Sequence, residues 1–145
     1  MFDRHKLKSF VKTSGKTGIH IYIPVSGINS GQSRTIANAI ADEIHGLTKS
    51  ISTRSETISL RGSNVYIDAN QNDYADTLAA PFSVRPYHEP LVSTPLDWKE
   101  VRPGLDRYAF TINSIQSRLK KGDIFLGALD KKIAAKNFKK LQEFG

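Results

Sequence analysis

The sequence predicts an α+β fold, and three observations carry that prediction. Residues 19–25, IHIYIPV, alternate along a β-branched and aromatic run, the signature of a strand. Residues 33–47 bring Ile36, Ala37, Ile40, Ala41 and Ile44 back at helical spacing. Residues 65–69, VYIDA, form a second short apolar run, and the last third of the chain reads as two helices. The pattern mixes α and β within one unit, residues 1–145, a length that suits a single domain.

Each element has its own justification. Pro24 closes the first strand, because proline cannot continue a hydrogen-bonded ladder. The turn SGINSGQS follows, and the helix over 33–47 has Gly46 as its stop. Residues 52–63 are polar and read as mixed loop. The strand over 65–69 carries Asp68 near its end. Three prolines make residues 78–92 extended loop and edge strand. Residues 94–101, TPLDWKEV, offer Thr94 as N-cap, Pro95 next and an acidic first turn, which predicts a short helix. Residues 111–121 and 130–144 are the final helices, with Gly122 and a short DIFLGAL run between them.

Composition narrows the function classes. The chain is 39% hydrophobic and 24% charged, the balance of a globular protein, and has no apolar tract able to span a bilayer. Its first residues, MFDRHKLKSFVK, lack the apolar core of a secretory signal. The absence of cysteine excludes disulfides, thiolate metal sites and a cysteine nucleophile. A cytoplasmic location and no membrane partner are expected. Net charge is +7 and sits at the ends: residues 1–20 hold five Lys or Arg against one acid, and residues 116–145 hold eight against three. Basic flanks suit a polyanion, although lysines on a last helix also serve as a solvated face.

Three stretches could carry chemistry. The first, KTSGKTGIH over 12–20, combines glycines, hydroxyls, two lysines and a histidine ahead of a strand. Glycines let backbone N–H groups converge on an anion, and Lys16, Ser14 and Thr17 add side-chain donors. A glycine-rich hairpin turn explains the same residues. The GKT fragment resembles part of a Walker A loop, but that motif needs a glycine where Phe10 stands and a helix where a strand follows. The second, RGSNVYIDANQN over 61–72, ends a strand at Asp68. A strand-end carboxylate suits a Mg²⁺ ligand, and it equally suits a turn former. The third, TLAAPFSVRPYHEPLVSTPL over 77–96, holds Arg85, whose planar fork suits a phosphate and also suits solvent. His5, His45 and His88 show no ligand spacing.

Taken together, these stretches resemble the polymerase domain of bacterial DNA ligase D, a member of the archaeo-eukaryotic primase superfamily. The resemblance rests on KTSG-x-x-G-x-H before a strand, RGSNVYIDANQN, T-x-A-A-P-F-S-x-R-P and V-S-T-P-L-x-W, in that order, from about Ser9 to Phe125. It implies a largely antiparallel mixed sheet with flanking helices, like the second half of a primase catalytic core. It also implies a DNA-repair nucleotidyltransferase of non-homologous end joining. In that family Ser14 and His20 would match the pair that binds the incoming nucleotide's phosphates. Asp68 would match one catalytic aspartate of a two-metal site holding Mg²⁺ or Mn²⁺. Arg61, Arg85 and Gln71 would line the nucleotide pocket. The family's usual GGKG is here Gly15-Lys16-Thr17-Gly18, which moves the lysine by one residue. After Gln71 and Asn72 come Asp73, Tyr74, Ala75 and Asp76, where relatives often carry basic residues.

The family's D-x-D motif, expected well upstream of KTSG, has no counterpart in this sequence. Two readings follow: a primase-type enzyme completed by another chain or further residues, or a binding module for triphosphate or DNA ends. A fragment that folds without function is the third. Expected partners are a nucleoside triphosphate, DNA, a ligase or Ku-like end-joining protein, and a second copy of the chain or a complementing chain.

Overall fold

The strand expected over 19–25 is one half of a hairpin. In the computed structural model, which describes residues 1–86, 90–120, 122 and 124–142, β1 (Phe10–Thr13) pairs antiparallel with β2 (Ile19–Tyr22). Val11 faces Ile21 and Lys12 faces His20 across this ladder. β5 (Pro95–Leu96) adds to the other side of β1, giving the order β2-β1-β5. The chain divides into two compact units, one of Met1 with Gly27–Leu78, the other of Phe2–Ser26 with Ala79–Gly145.

The unit that contains the hairpin has its core on one face of the sheet. Val11, with no exposed surface, packs with Leu96 and Phe110, flanked by Val101 and Leu105. Because side chains alternate along a strand, Phe10, Lys12, His20 and Tyr22 share the opposite face. There Phe125 packs edge-on to Phe10 and Tyr22, with ring centroids 5.9 and 4.9 Å away. Gly127 lies under the Phe10 ring, where a Cβ would come within 2.8 Å. The helices are α2 (Ile112–Leu119), capped by Thr111, and α3 (Lys131–Gln142). Buried Asn137 of α3 accepts from Lys8 N–H and donates to the carbonyls of Lys8 and Pro24, so it ties together the segments that enter and leave the hairpin.

The other unit holds α1 (Ser30–Leu47), β3 (Ser52–Thr53) and β4 (Val65–Tyr66), the two strands parallel. Arg54 joins them: its guanidinium donates to Asp42 and Asn38 of α1 and to the carbonyl of Ile67.

The fold is α+β, as the sequence predicts, with its three-stranded sheet antiparallel. Several boundaries move. α1 starts three residues early because Asn29 and Gln32 form a reciprocal capping box. Residues 52–63, expected as loop, supply β3 and a 3₁₀ turn, Ile58–Leu60. The helix expected over 94–101 is a correction. Thr94 is buried beside β1 rather than capping, Pro95 and Leu96 pair in the sheet, and Asp97 starts a single 3₁₀ turn, Trp98–Glu100. Proline is tolerated there because β5 is an edge strand. The ends expected at Lys121 and Phe144, and His88, lie outside the described residues. Among the described residues no helix is long and apolar enough to cross a membrane.

Candidate functional site

β1 carries a lysine into the interior. Lys12 has no exposed surface, and its Nζ lies 2.5 Å from Ser93 Oγ, 3.0 Å from His20 Nδ1 and 3.5 Å from the Thr13 carbonyl. Burial, and then the positive charge of Arg85, lower its pKa to about 8. The sequence reading singled out Lys16 of this stretch and passed over Lys12. The only local hint was a lysine following the apolar pair Phe10-Val11.

The turn between the strands is tight. Ser14 N–H donates to the Gly18 carbonyl at 2.8 Å, and Ser14 Oγ accepts from the N–H groups of both Lys16 and Gly18 at 3.1 Å. Two backbone donors that a phosphate cradle would aim outward are thus held on the serine oxygen. The hydroxyl, already accepting twice, keeps its own proton to donate. Lys16 and Thr17 stand exposed at the tip, and His20 is half-buried on β2.

Tertiary contacts bring the proline-rich stretch to this hairpin. Thr13 exchanges bonds with the segment 92–94: Thr13 Oγ1 donates to the Val92 carbonyl, Thr94 N–H donates to Thr13 Oγ1, and Ser93 Oγ donates to the Thr13 carbonyl. On its other side Ser93 bonds Phe82 and Ser83 through the backbone. Arg85 follows on the same run and lies against the turn. A Cβ at Gly15 would fall 2.5 Å from Arg85 Cγ and 3.2 Å from Ser93 N. Gly15 has φ +70°, a backbone that glycine adopts without strain. Ser14, Lys12, His20, Ser93 and Arg85 therefore belong to one neighbourhood within this unit.

Asp68, Arg61 and Gln71 belong to the other unit. Asp68 is exposed, and its Oδ1 accepts from Asn70 N–H, an Asx turn that ends the strand. Arg61 donates to the carbonyls of Ser55 and Glu56 and stacks 3.8 Å from the Tyr66 ring centroid. Gln71 is exposed. Asp73 pairs with Arg34 at 2.8 Å. The bond from Tyr74 N–H, and then Arg34, hold the Asp73 carboxyl below the usual range. Among the described residues no three His, Cys, Asp or Glu side chains gather to hold a metal ion. One carboxylate does not make a two-cation centre, so the residues described do not by themselves fit Mg²⁺ or Mn²⁺ chemistry of that kind.

Chemically, the hairpin neighbourhood favours an anion. Lys12 and Arg85 are like charges whose repulsion an anion would relieve, and charge-assisted donors to phosphate oxygens are among the stronger hydrogen bonds.

An antiparallel sheet with a buried lysine, a serine-capped turn and an arginine folded over it defines an α+β protein with a basic cluster at one hairpin. Comparison with known proteins gives the family. The signature of the LigD, primase-polymerase domain matches residues 1–125, and the chain belongs to that family. It is 32% identical over 126 residues to the multifunctional non-homologous end joining protein LigD of Mycolicibacterium smegmatis, covering 86% of this chain and 16% of that protein. It is 30% identical over 123 residues to the bifunctional LigD of Bacillus subtilis, covering 83% and 20%. Its structure is similar to that of the polymerase domain of Mycobacterium tuberculosis ligase D in complex with DNA, with TM-score 0.77 and 28% identity, covering 89% of this chain and 46% of that one. The chain thus spans a fifth or less of the length of these curated relatives.

Proposed function

We propose that this chain supplies the triphosphate-holding part of a primase-type nucleotidyltransferase that acts on DNA ends in non-homologous end joining. The observation that carries the reading is the grouping of Lys12, Ser14, His20 and Arg85 around one hairpin. In this arrangement Ser14 and His20 meet the phosphates of the incoming nucleotide and Arg85 neutralises their charge, with Lys16 and Thr17 at the tip. Membership of the LigD primase-polymerase family supports the reaction class. The solved relative's complex with DNA supports a nucleic-acid partner. The basic ends of the chain suit such a partner through non-specific phosphate contacts.

By the family resemblance alone, Arg61 and Gln71 are assigned to the nucleotide pocket and Asp68 to one metal ligand. Mg²⁺ or Mn²⁺ would stabilise the triphosphate charge in such chemistry. A cytoplasmic location, and a ligase or Ku-like partner, fit the same role.

Titration of the purified chain with a nucleoside triphosphate tests the site. Arg85→Ala should weaken binding by about 1.5–3 kcal/mol, the range for hydrogen bonds to charged groups. Equal affinity for wild type and variant would remove Arg85 from the site and leave the grouping without a ligand.

A further inference from the structure

We infer that Lys12 is a positioning residue that fixes His20 in the tautomer with its proton on Nε2, so that the ring meets a bound phosphate as a hydrogen-bond donor. The inference deepens the proposed triphosphate site and rests on it. A lysine ammonium has three N–H donors and no acceptor. Lys12 has three acceptors around it: Ser93 Oγ, His20 Nδ1 and the Thr13 carbonyl.

The direction of each proton follows. Ser93 Oγ gives its own proton to the Thr13 carbonyl at 2.9 Å, so it offers Lys12 a lone pair. His20 Nδ1, 3.0 Å from Nζ, must offer a lone pair as well, because a protonated Nδ1 would set two donors face to face. A neutral imidazole with Nδ1 unprotonated carries its proton on Nε2. Lys12 cannot withdraw to solvent, since it has no exposed surface and sits in the middle strand, directly across the ladder from His20. With a pKa of about 8 it is still mainly ammonium at neutral pH.

Long-range proton–nitrogen NMR spectra of the histidine rings, recorded on the whole chain near pH 7, read the tautomer directly. His20 is expected as Nε2–H in the wild type and as a mixture of tautomers in Lys12→Met. Inorganic triphosphate affinity is expected to fall about tenfold in that variant, the scale of one lost hydrogen bond. A wild-type His20 that is Nδ1–H or mixed overturns the proposal even if Lys12→Met fails to fold. An unchanged tautomer in a folded Lys12→Met also overturns it, whatever happens to affinity. Wild type with the Nε2–H tautomer but no triphosphate binding would refute the site itself, and with it the purpose assigned to the tautomer.

Discussion

Burial decides what Lys12 does to the stability of the protein. Its folded pKa is about 8, below the ordinary value of 10.5, so above pH 8 the unfolded chain binds this proton more tightly than the folded one. Stability from this group therefore rises as pH climbs from about 8 to about 10.5, and its cost is fully present below that window. Tyr22 and Tyr66 act the other way at the top of the range, since burial raises both phenols and disfavours their ionised form. Thermal melts across pH 7–10 should show wild type gaining relative to Lys12→Met between pH 8 and 10. Parallel profiles for the two proteins would show that Lys12 keeps its ordinary pKa. Arg61, proposed for the nucleotide pocket, also has its guanidinium engaged by two backbone carbonyls and the Tyr66 ring, which holds residues 55–66 together.

At the scale of elements, the hairpin is the piece most sensitive to shape. Its turn works only because Gly15 takes φ +70° and leaves room for the Arg85 side chain. Gly15→Ala places a methyl group in that space and forces a conformation that L side chains avoid. The loss should be about 1–3 kcal/mol, the usual cost of overpacking, measurable by chemical denaturation. A neutral effect would mean Arg85 can swing away freely, which weakens its place at the turn. Elements also differ in how plainly they can be read. The core positions of α1 follow helical spacing, while its start at Ser30, set by the Asn29 and Gln32 capping box, lies three residues before the one read from the sequence. β5 was not: TPLD carries every local sign of a helix start. Pairing with Val11 and Lys12, together with burial of Thr94, outweighs those signs.

At the scale of the whole molecule, β2 leaves an open edge. Ile19 and Ile21 lie on the same sheet face as fully buried Val11, yet remain 40% and 39% exposed. An edge strand with half-covered apolar side chains invites pairing with another chain. A symmetric dimer is the commonest form of such pairing. Light scattering at tens of micromolar should therefore give a mass above that of one 16.1 kDa chain. Replacing Ile21 with lysine should restore the monomer. A monomeric wild type would mean that this edge tolerates water.

The sequence by itself determined the family and the α+β class, because motif order and spacing are properties of the chain. KTSG, RGSNVYIDANQN, AAPFSVRP and VSTPL could each be read without coordinates. What they do to one another could not. Only the tertiary structure brought residues 82–85 and 91–94 against the hairpin, laid Arg85 over Gly15 and buried Lys12 between Ser93 and His20. It also assigned Asp68, Arg61 and Gln71 to a different compact unit from Ser14, His20 and Arg85. The physical reason is that burial and proton direction arise from contacts between segments about eighty residues apart, such as Lys12 with Ser93. Local spacing carries no record of such contacts, so the burial of Lys12 against Ser93 is visible only in the folded chain.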